Sequence, residues 1–193
     1  MPIDTERIEA AVAEILAAIG EDATRPGLRD TPHRVAQAYG DFFAGLGVDP
    51  LDHLAEAVDL AEGERSELVL LRDIEFRSVC EHHLLPFTGI AHVAYVPDRT
   101  VVGLGRLPRV VETLASRPQL QERLTEEIAQ AIDDGLAPKG VLVVLDAVHG
   151  CVSARGARQA KSSTVTMASR GTLGEPVARA EIMTLIGDGT HEQ

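Results

Sequence analysis

The most constraining feature of this sequence is a set of metal-binding side chains divided between two segments that lie far apart in the chain. Cys80 and His83 form a C-x-x-H pair, and this spacing on a tight or helical turn places both side chains on one side of the backbone. His149 and Cys151 follow much later, at alternating positions that a strand would direct to one face. A fold that uses both pairs must bring the segments together, so we interpret them as halves of one site.

The residue types in these segments are those that bind zinc. Zinc prefers thiolate and imidazole, and Cys80, His83 and Cys151 would supply three ligands and leave a fourth position open, as in catalytic sites. His82 is expected to act beside the ion, because adjacent side chains diverge. His149 is either a fourth ligand that closes a structural site or a proton donor next to an open one. A disulfide between the two cysteines is the alternative, but a reducing cytosol and the neighbouring histidines favour the metal.

The overall composition excludes several classes of protein. A net charge of −12 argues against a nucleic-acid-binding surface. No apolar run approaches the length of a membrane span and the N-terminus lacks the order of a signal peptide, so we expect a cytoplasmic protein without a membrane partner. Two segments, 99–109 and 151–170, contain arginines and no acidic residue. They indicate a small anionic ligand, although any single arginine there could equally be a solvated surface residue.

The hydrophobic pattern predicts helices, then strands, then helices, then strands. This order indicates an α+β fold in which helices cover one face of an antiparallel sheet, preceded by an N-terminal helical segment. We expect an N-terminal helical region over 1–65 and a catalytic domain over 66–193, joined as one compact unit. Thr31-Pro32 marks a helix start, and helices are also predicted from Pro108 and from Pro118.

Several ordered motifs together resemble the GTP cyclohydrolase I family, over a range from Thr31 to about Arg170. The motifs are Cys80-Glu81-His82-His83, Gly103-Leu104 followed by a basic residue, Arg117-Pro118-Gln119-Leu120-Gln121-Glu122-Arg123-Leu124-Thr125, Asp146-Ala147-Val148-His149 with Cys151, and Ala154-Arg155-Gly156.

The resemblance implies the tunnelling fold, in which the antiparallel strands of neighbouring subunits join into a barrel. It implies a homodecamer of two pentamers with active sites between subunits, and no nicotinamide or flavin. The implied reaction opens the imidazole ring of GTP, releases formate and recloses the ring as 7,8-dihydroneopterin triphosphate. The alternatives are a non-catalytic tunnelling-fold module that binds a purine nucleotide or zinc, and a specialised paralogue that feeds a 7-deazapurine pathway.

The resemblance also implies a role for individual residues. Cys80, His83 and Cys151 match the Zn²⁺ ligands, His149 matches the histidine that handles protons at the purine, and His82 matches the one near the ribose. The implied substrate contacts are guanine recognition by Gln121 and Glu122, and triphosphate contacts by Arg34, Arg106, Arg109 and Arg155.

The chain also departs from the family pattern. It has Gly105-Arg106 where the family usually has Ser-Lys, and it has an unusual proline at position 108. Arg106 keeps the positive charge in a planar form, so phosphate geometry or rate is expected to differ. Glu81 has no assigned role beyond support of the neighbouring ligands.

Overall fold

The N-terminal part of the chain forms two helices joined by a polar loop. The computed structural model describes residues 3–61 and 67–187. Helix α1 (Thr5–Ala18) begins after Asp4, whose carboxylate accepts a hydrogen bond from the backbone N–H of Arg7 at 3.0 Å. Helix α2 (Thr31–Phe42) begins at Thr31-Pro32 as predicted, because proline lacks the N–H that a first turn leaves unbonded.

A five-stranded sheet forms the centre of the structure. The strands are β1 (Val58–Asp59), β2 (Val69–Cys80), β3 (Pro86–Val96), β4 (Thr100–Val101), β5 (Pro118–Gln119), β6 (Gly140–His149) and β7 (Thr164–Gly171). The large sheet has the order β5-β2-β3-β6-β7, while β1 and β4 pair as a separate two-stranded sheet. All neighbouring strands in the large sheet are antiparallel except β5, which is parallel to β2.

Helices cover both faces of this sheet. Alternate side chains of β6 point to opposite faces and pack under different helices. The remaining elements are the helices α3 (Arg106–Ala115), α4 (Gln121–Leu136), α5 (Gly150–Ser153) and α6 (Pro176–Gly187), and the short 3₁₀ helices Pro50–His53 and Thr172–Gly174. Val143 and Leu145 of β6 face the main core beneath α3 and α4, whereas Leu142 and Val144 face a smaller core beneath α6. The structure confirms the expected α+β fold with an N-terminal helical segment, and it adds α6 on the face opposite α3 and α4.

The start of α4 differs from the sequence expectation. The pattern predicts a helix from Pro118, but Pro118 and Gln119 form β5 and pair with Val79 and Cys80 at the end of β2. The backbone N–H of Glu81 also donates to the carbonyl of Gln119 at 3.1 Å. This pairing satisfies backbone groups that a helix would have used internally, and it places the beginning of α4 beside the Cys80 turn.

The predicted boundary between the regions 1–65 and 66–193 falls on residues outside the described part of the chain, and it stays a prediction. Leu54, on the N-terminal side, is 2 % exposed and packs in the main core beneath α3 and α4. Part of the first region therefore contributes to the core of the second. Every helix within the described residues is too short or too polar to cross a membrane.

Gly89 lies where two central strands approach each other closely, and its replacement is expected to destabilise the sheet. It is opposite Ala147 in the β3–β6 pairing, and a Cβ at position 89 would lie 2.7 Å from the Cβ of Ala147. We expect Gly89→Ala to lower the free energy of unfolding by about 1–3 kcal/mol in denaturant titrations. Gly40→Ala is the control, because Gly40 lies in α2 with no atom near the added Cβ, and it is expected to stabilise by up to about 1 kcal/mol. Equal effects of the two changes would contradict this account.

Candidate metal centre and active site

The first half of the site is a turn at the end of β2. The backbone N–H of Leu84 donates to the carbonyl of Cys80 at 2.8 Å, and the N–H of Cys80 donates to the carbonyl of Leu85 at 2.9 Å. Leu84 closes the turn in the left-handed region, with φ of +51°. The turn brings Cys80 Sγ to 3.8 Å from His83 Nδ1, as the C-x-x-H spacing predicts.

The second half of the site follows β6. His149 ends this strand opposite Phe87 of β3, and the next residues form α5. The prediction that Cys151 continues the strand is wrong. At Gly150 the chain passes so close to β3 that a Cβ would lie 2.7 Å from the carbonyl oxygen of Pro86, and glycine therefore allows the chain to turn out of the sheet. The turn brings the Cys151 thiol to the Cys80 side of the site.

Cys80, His83 and Cys151 form a group that could hold a metal ion. Their ligand atoms all lie within 4.8 Å of one another. A tetrahedral zinc ion with Zn–S of about 2.3 Å and Zn–N of about 2.0 Å separates its ligand atoms by about 3.5–3.8 Å. The spacing and the donor types therefore fit such an ion. His149 is not a member of this group.

The Cys151 thiol would need a nearby cation to ionise readily. Burial, followed by the neighbouring Cys80, raises the pKa of the Cys151 thiol, while the guanidinium of Arg155 acts in the opposite direction. Two adjacent thiolates are costly without a positive charge between them. A divalent metal would reverse that cost, because it binds the thiolate form.

His149 lies next to this group and is held from two sides. Its ring stacks on that of Phe87, with centroids 4.6 Å apart and planes 11° apart, and its Nε2 lies 2.7 Å from Oε1 of Gln121. Burial lowers the pKa of His149, and the opposing effect of the Glu122 carboxylate is smaller. Burial therefore favours the neutral imidazole, the form that can accept a proton.

The two residues predicted to recognise guanine have different surroundings. Glu122 is exposed in the first turn of α4, and its charge reaches His149. Gln121 is 1 % exposed, and its amide bonds within the protein. His82 is exposed and is not a member of the metal group, and its ring makes an edge-to-face contact with that of His83, with centroids 6.1 Å apart and planes at 85°.

The four arginines predicted to contact phosphate do not all lie together in one chain. Arg106 and Arg109 line a cavity of about 240 Å³ with Gly103, Leu104 and Gly105, at the N-terminal end of α3. The free backbone N–H groups of a first helical turn favour an anion there. Arg155 is exposed after α5 and acts on the Cys151 thiol, whereas Arg34 lies in α2, 3.6 Å from Asp30.

Comparison with known proteins shows the family of this chain. The sequence model of GTP cyclohydrolase I matches residues 8–187. The chain belongs to the GTP cyclohydrolase I family. A GTP cyclohydrolase 1 from Leifsonia xyli subsp. xyli is 63 % identical over 186 residues, which cover 96 % of this chain and 97 % of the relative. One from Carboxydothermus hydrogenoformans is 54 % identical over 187 residues, which cover 96 % of each chain.

In this member of the GTP cyclohydrolase I family, Arg106 has an acidic partner. Arg106 donates to the carboxylate of Glu56, whose side chain is exposed. Glu56 lies in segment 49–65, which is rich in acidic residues and shows no regular hydrophobic period. Sequence reasoning missed it, because no local spacing connects it to Arg106.

The structure also gives Glu81 a defined partner. The Arg123 guanidinium donates to its carboxylate, and Arg123 Nε donates to Oε1 of Gln119 at 3.2 Å. Gln119 in turn donates to the Glu127 carboxylate at 2.7 Å. Glu81 therefore connects the Cys80 turn to α4. The pair Glu81–Arg123 spans two separate motifs, so spacing could not reveal it.

Proposed function

We propose that this protein is a zinc-dependent GTP cyclohydrolase I. The proposed reaction hydrolyses the imidazole ring of the guanine of GTP, releases the ring carbon as formate and recloses the product as 7,8-dihydroneopterin triphosphate. Membership of the family and the Cys80–His83–Cys151 group support this function. The observation that carries it is the placement of His149, which lies two residues before Cys151, is held by Phe87 and Gln121, and is not a member of the metal group, so that it is available for proton transfer.

The residues of the metal group fit zinc as the proposed cofactor, and the neighbouring histidines would carry out the other steps. Zinc held by Cys80, His83 and Cys151 would supply a Lewis acid that activates water. His149 would accept a proton near the purine and return it during ring opening. His82, which is exposed and lies outside the metal group, would act near the ribose in the later steps.

The substrate contacts follow from charge and exposure. The exposed carboxylate of Glu122 is suited to accept hydrogen bonds from the N1–H and amino group of guanine. Arg106 and Arg109 in their cavity, with Arg155 and Arg34, would bind the triphosphate, which accounts for basic segments in a chain of net charge −12.

We also propose that neighbouring subunits complete the site. Arg34 lies in α2, and no cysteine or histidine of the metal group lines the Arg106–Arg109 cavity, so a homodecamer with active sites between subunits would unite residues that the described single chain leaves separate. A cytoplasmic location, no nucleic-acid partner and a pterin product that feeds folate or other pterin synthesis belong to the same proposal.

Product analysis with GTP tests the function. The zinc-loaded protein is expected to release formate and to form a product that becomes a fluorescent pterin after oxidation, identified by mass spectrometry. Formate without a pterin would limit the protein to ring opening. Binding of GTP without either product would favour the non-catalytic module. Pterin formation would leave open whether the product feeds a 7-deazapurine pathway.

Replacement of Arg109 is expected to weaken triphosphate binding. Arg109→Ala removes a charge-assisted contact worth about 1.5–3 kcal/mol, so KM for GTP should rise by about 10–100-fold with a smaller effect on kcat. Arg99→Ala is the matched control, because Arg99 is an exposed arginine of the same acid-free segment and does not line the cavity. Steady-state kinetics measure both variants. An equal rise in KM for both would show a diffuse charge effect instead of a specific contact.

A further inference from the structure

The side-chain amide of Gln121 has one orientation that satisfies its neighbours. Its nitrogen lies 2.7 Å from the carbonyl oxygen of Thr164 and 3.2 Å from that of Leu145. Carbonyl oxygens only accept hydrogen bonds, so the NH₂ group must face them. The amide oxygen must then face His149, whose Nε2 lies at 2.7 Å.

The hydroxyl groups around Gln121 agree with this orientation. Thr125 Oγ1 donates to the backbone carbonyl of Gln121 at 2.7 Å and lies 2.6 Å from Thr166 Oγ1. Because Thr125 uses its own proton on the carbonyl, Thr166 donates to Thr125 and keeps lone pairs. Thr166 Oγ1 can therefore also accept from the Gln121 NH₂ group, 3.1 Å away. The network joins α4 to β7, and its α4 members Gln121 and Thr125 are buried, whereas Thr166 is half-buried.

The orientation of the Gln121 amide determines the tautomer of His149. An amide oxygen can only accept, so Nε2 of the neutral imidazole must carry the proton. The stacked ring of Phe87 fixes the plane of the imidazole, and the bond to Gln121 fixes its rotation. The lone pair is then on Nδ1, the nitrogen that Gln121 does not occupy.

We propose that Gln121 is a positioning residue that holds His149 as the Nε2-protonated tautomer and thereby makes Nδ1 the proton acceptor of the reaction. This inference rests on the proposed function for its kinetic consequences, but the tautomer itself does not depend on turnover. It assigns Gln121 a role through His149 instead of a direct contact with guanine. It also separates Gln121 from its neighbour Glu122, whose exposed carboxylate keeps the proposed guanine contact.

The tautomer is measurable by solid-state NMR on the full-length, zinc-loaded protein labelled with ¹⁵N-histidine. At about pH 8, above the ordinary histidine pKa of about 6.5, the signals of His149 are identified by their loss in His149→Gln. The expected result is a protonated Nε2 and an unprotonated Nδ1. A protonated Nδ1 in the wild type would overturn the proposal, and so would a metal-bound Nδ1, because it would make His149 a ligand.

Kinetics of Gln121 variants separate positioning from substrate contact. Gln121→Leu is expected to lose the single tautomer and to lower kcat for GTP by about 10–100-fold, with KM little changed. Gln121→Glu, with its carboxyl protonated so that one oxygen donates to the carbonyls of Leu145 and Thr164, keeps an oxygen acceptor opposite His149 and is expected to retain the Nε2–H signal. Gln130→Leu is the control, because Gln130 lies exposed on α4 and bonds to Asp134.

The outcomes distinguish this inference from the proposed function. A large rise in KM for GTP with unchanged kcat in Gln121→Leu would identify a direct guanine contact and overturn the positioning role. If Gln121→Leu fails to fold, which thermal unfolding would reveal, the wild-type and Gln121→Glu spectra still decide the proposal. If the wild type does not convert GTP, the proposed function fails while the tautomer measurement stands.

Discussion

A Cys151→Ala variant is expected to lose both its metal and its activity. It removes one of the three donors whose ligand atoms lie within 4.8 Å of one another. Removal of one donor from such a set should weaken zinc binding by at least about 100-fold, since structural zinc sites with four ligands gain roughly 10–16 kcal/mol in total. Zinc content after dialysis and formate release from GTP measure the two losses.

The neighbouring residue supplies the control for this variant. Val152 lies in the same short helix, α5, and is not a member of the metal group. Val152→Ala is therefore expected to keep zinc and most of the activity. Full zinc content in Cys151→Ala would contradict the assignment of Cys151 as a zinc ligand. Because burial and Cys80 raise the pKa of the Cys151 thiol, wild-type zinc affinity should also fall as the pH is lowered.

A His149→Gln variant is expected to keep zinc and lose turnover. His149 lies outside the metal group, and its neutral imidazole is the proposed proton carrier. Loss of a positioned general acid–base group typically costs 10²–10⁴-fold, so kcat should fall by about that factor. Stopped-flow or steady-state measurement of pterin formation gives the rate, and metal analysis of the same sample gives the zinc content.

A surface histidine provides the comparison for this second variant. His33 lies in α2, paired with Glu9 at 2.8 Å, and His33→Gln is expected to leave both rate and zinc unchanged. If His149→Gln lost zinc together with activity, His149 would be the fourth ligand of a closed site. That alternative is the one that the sequence alone leaves open.

Residue spacing predicts the parts of the site that are local in the chain. Cys80 and His83 share one turn, so their proximity follows from the C-x-x-H pattern alone. The prediction that Cys151 joins them follows from the preference of zinc for thiolate and imidazole ligands. The strand assigned to Cys151 was wrong because the decisive contact, between position 150 and the carbonyl of Pro86, connects two strands and leaves no local signal.

Contacts between distant elements explain the remaining differences. The alternating apolar residues of β6 predict a strand, but they do not reveal that α6 covers one of its faces. Gln121 and Glu122 are adjacent polar residues with the same expected role, yet one is buried and the other exposed. Gln121 is buried because its amide bonds to the carbonyls of Leu145 and Thr164. The pairing of β6 with β7 brings these carbonyls to α4.

The position of β6 in the sheet has a consequence for how the site opens. This strand pairs with β3 from Gly140 to His149 and with β7 from Gly140 to Ala147, so the amide hydrogens of its doubly paired part are expected to exchange with solvent only in the rarest, most complete openings of the fold. His149 is the last residue of this strand, so the strand determines its position. Cys80 and His83, by contrast, lie on a turn at the end of β2. Slow hydrogen exchange around His149 in metal-free protein would mean that the proton carrier is in place before the metal arrives.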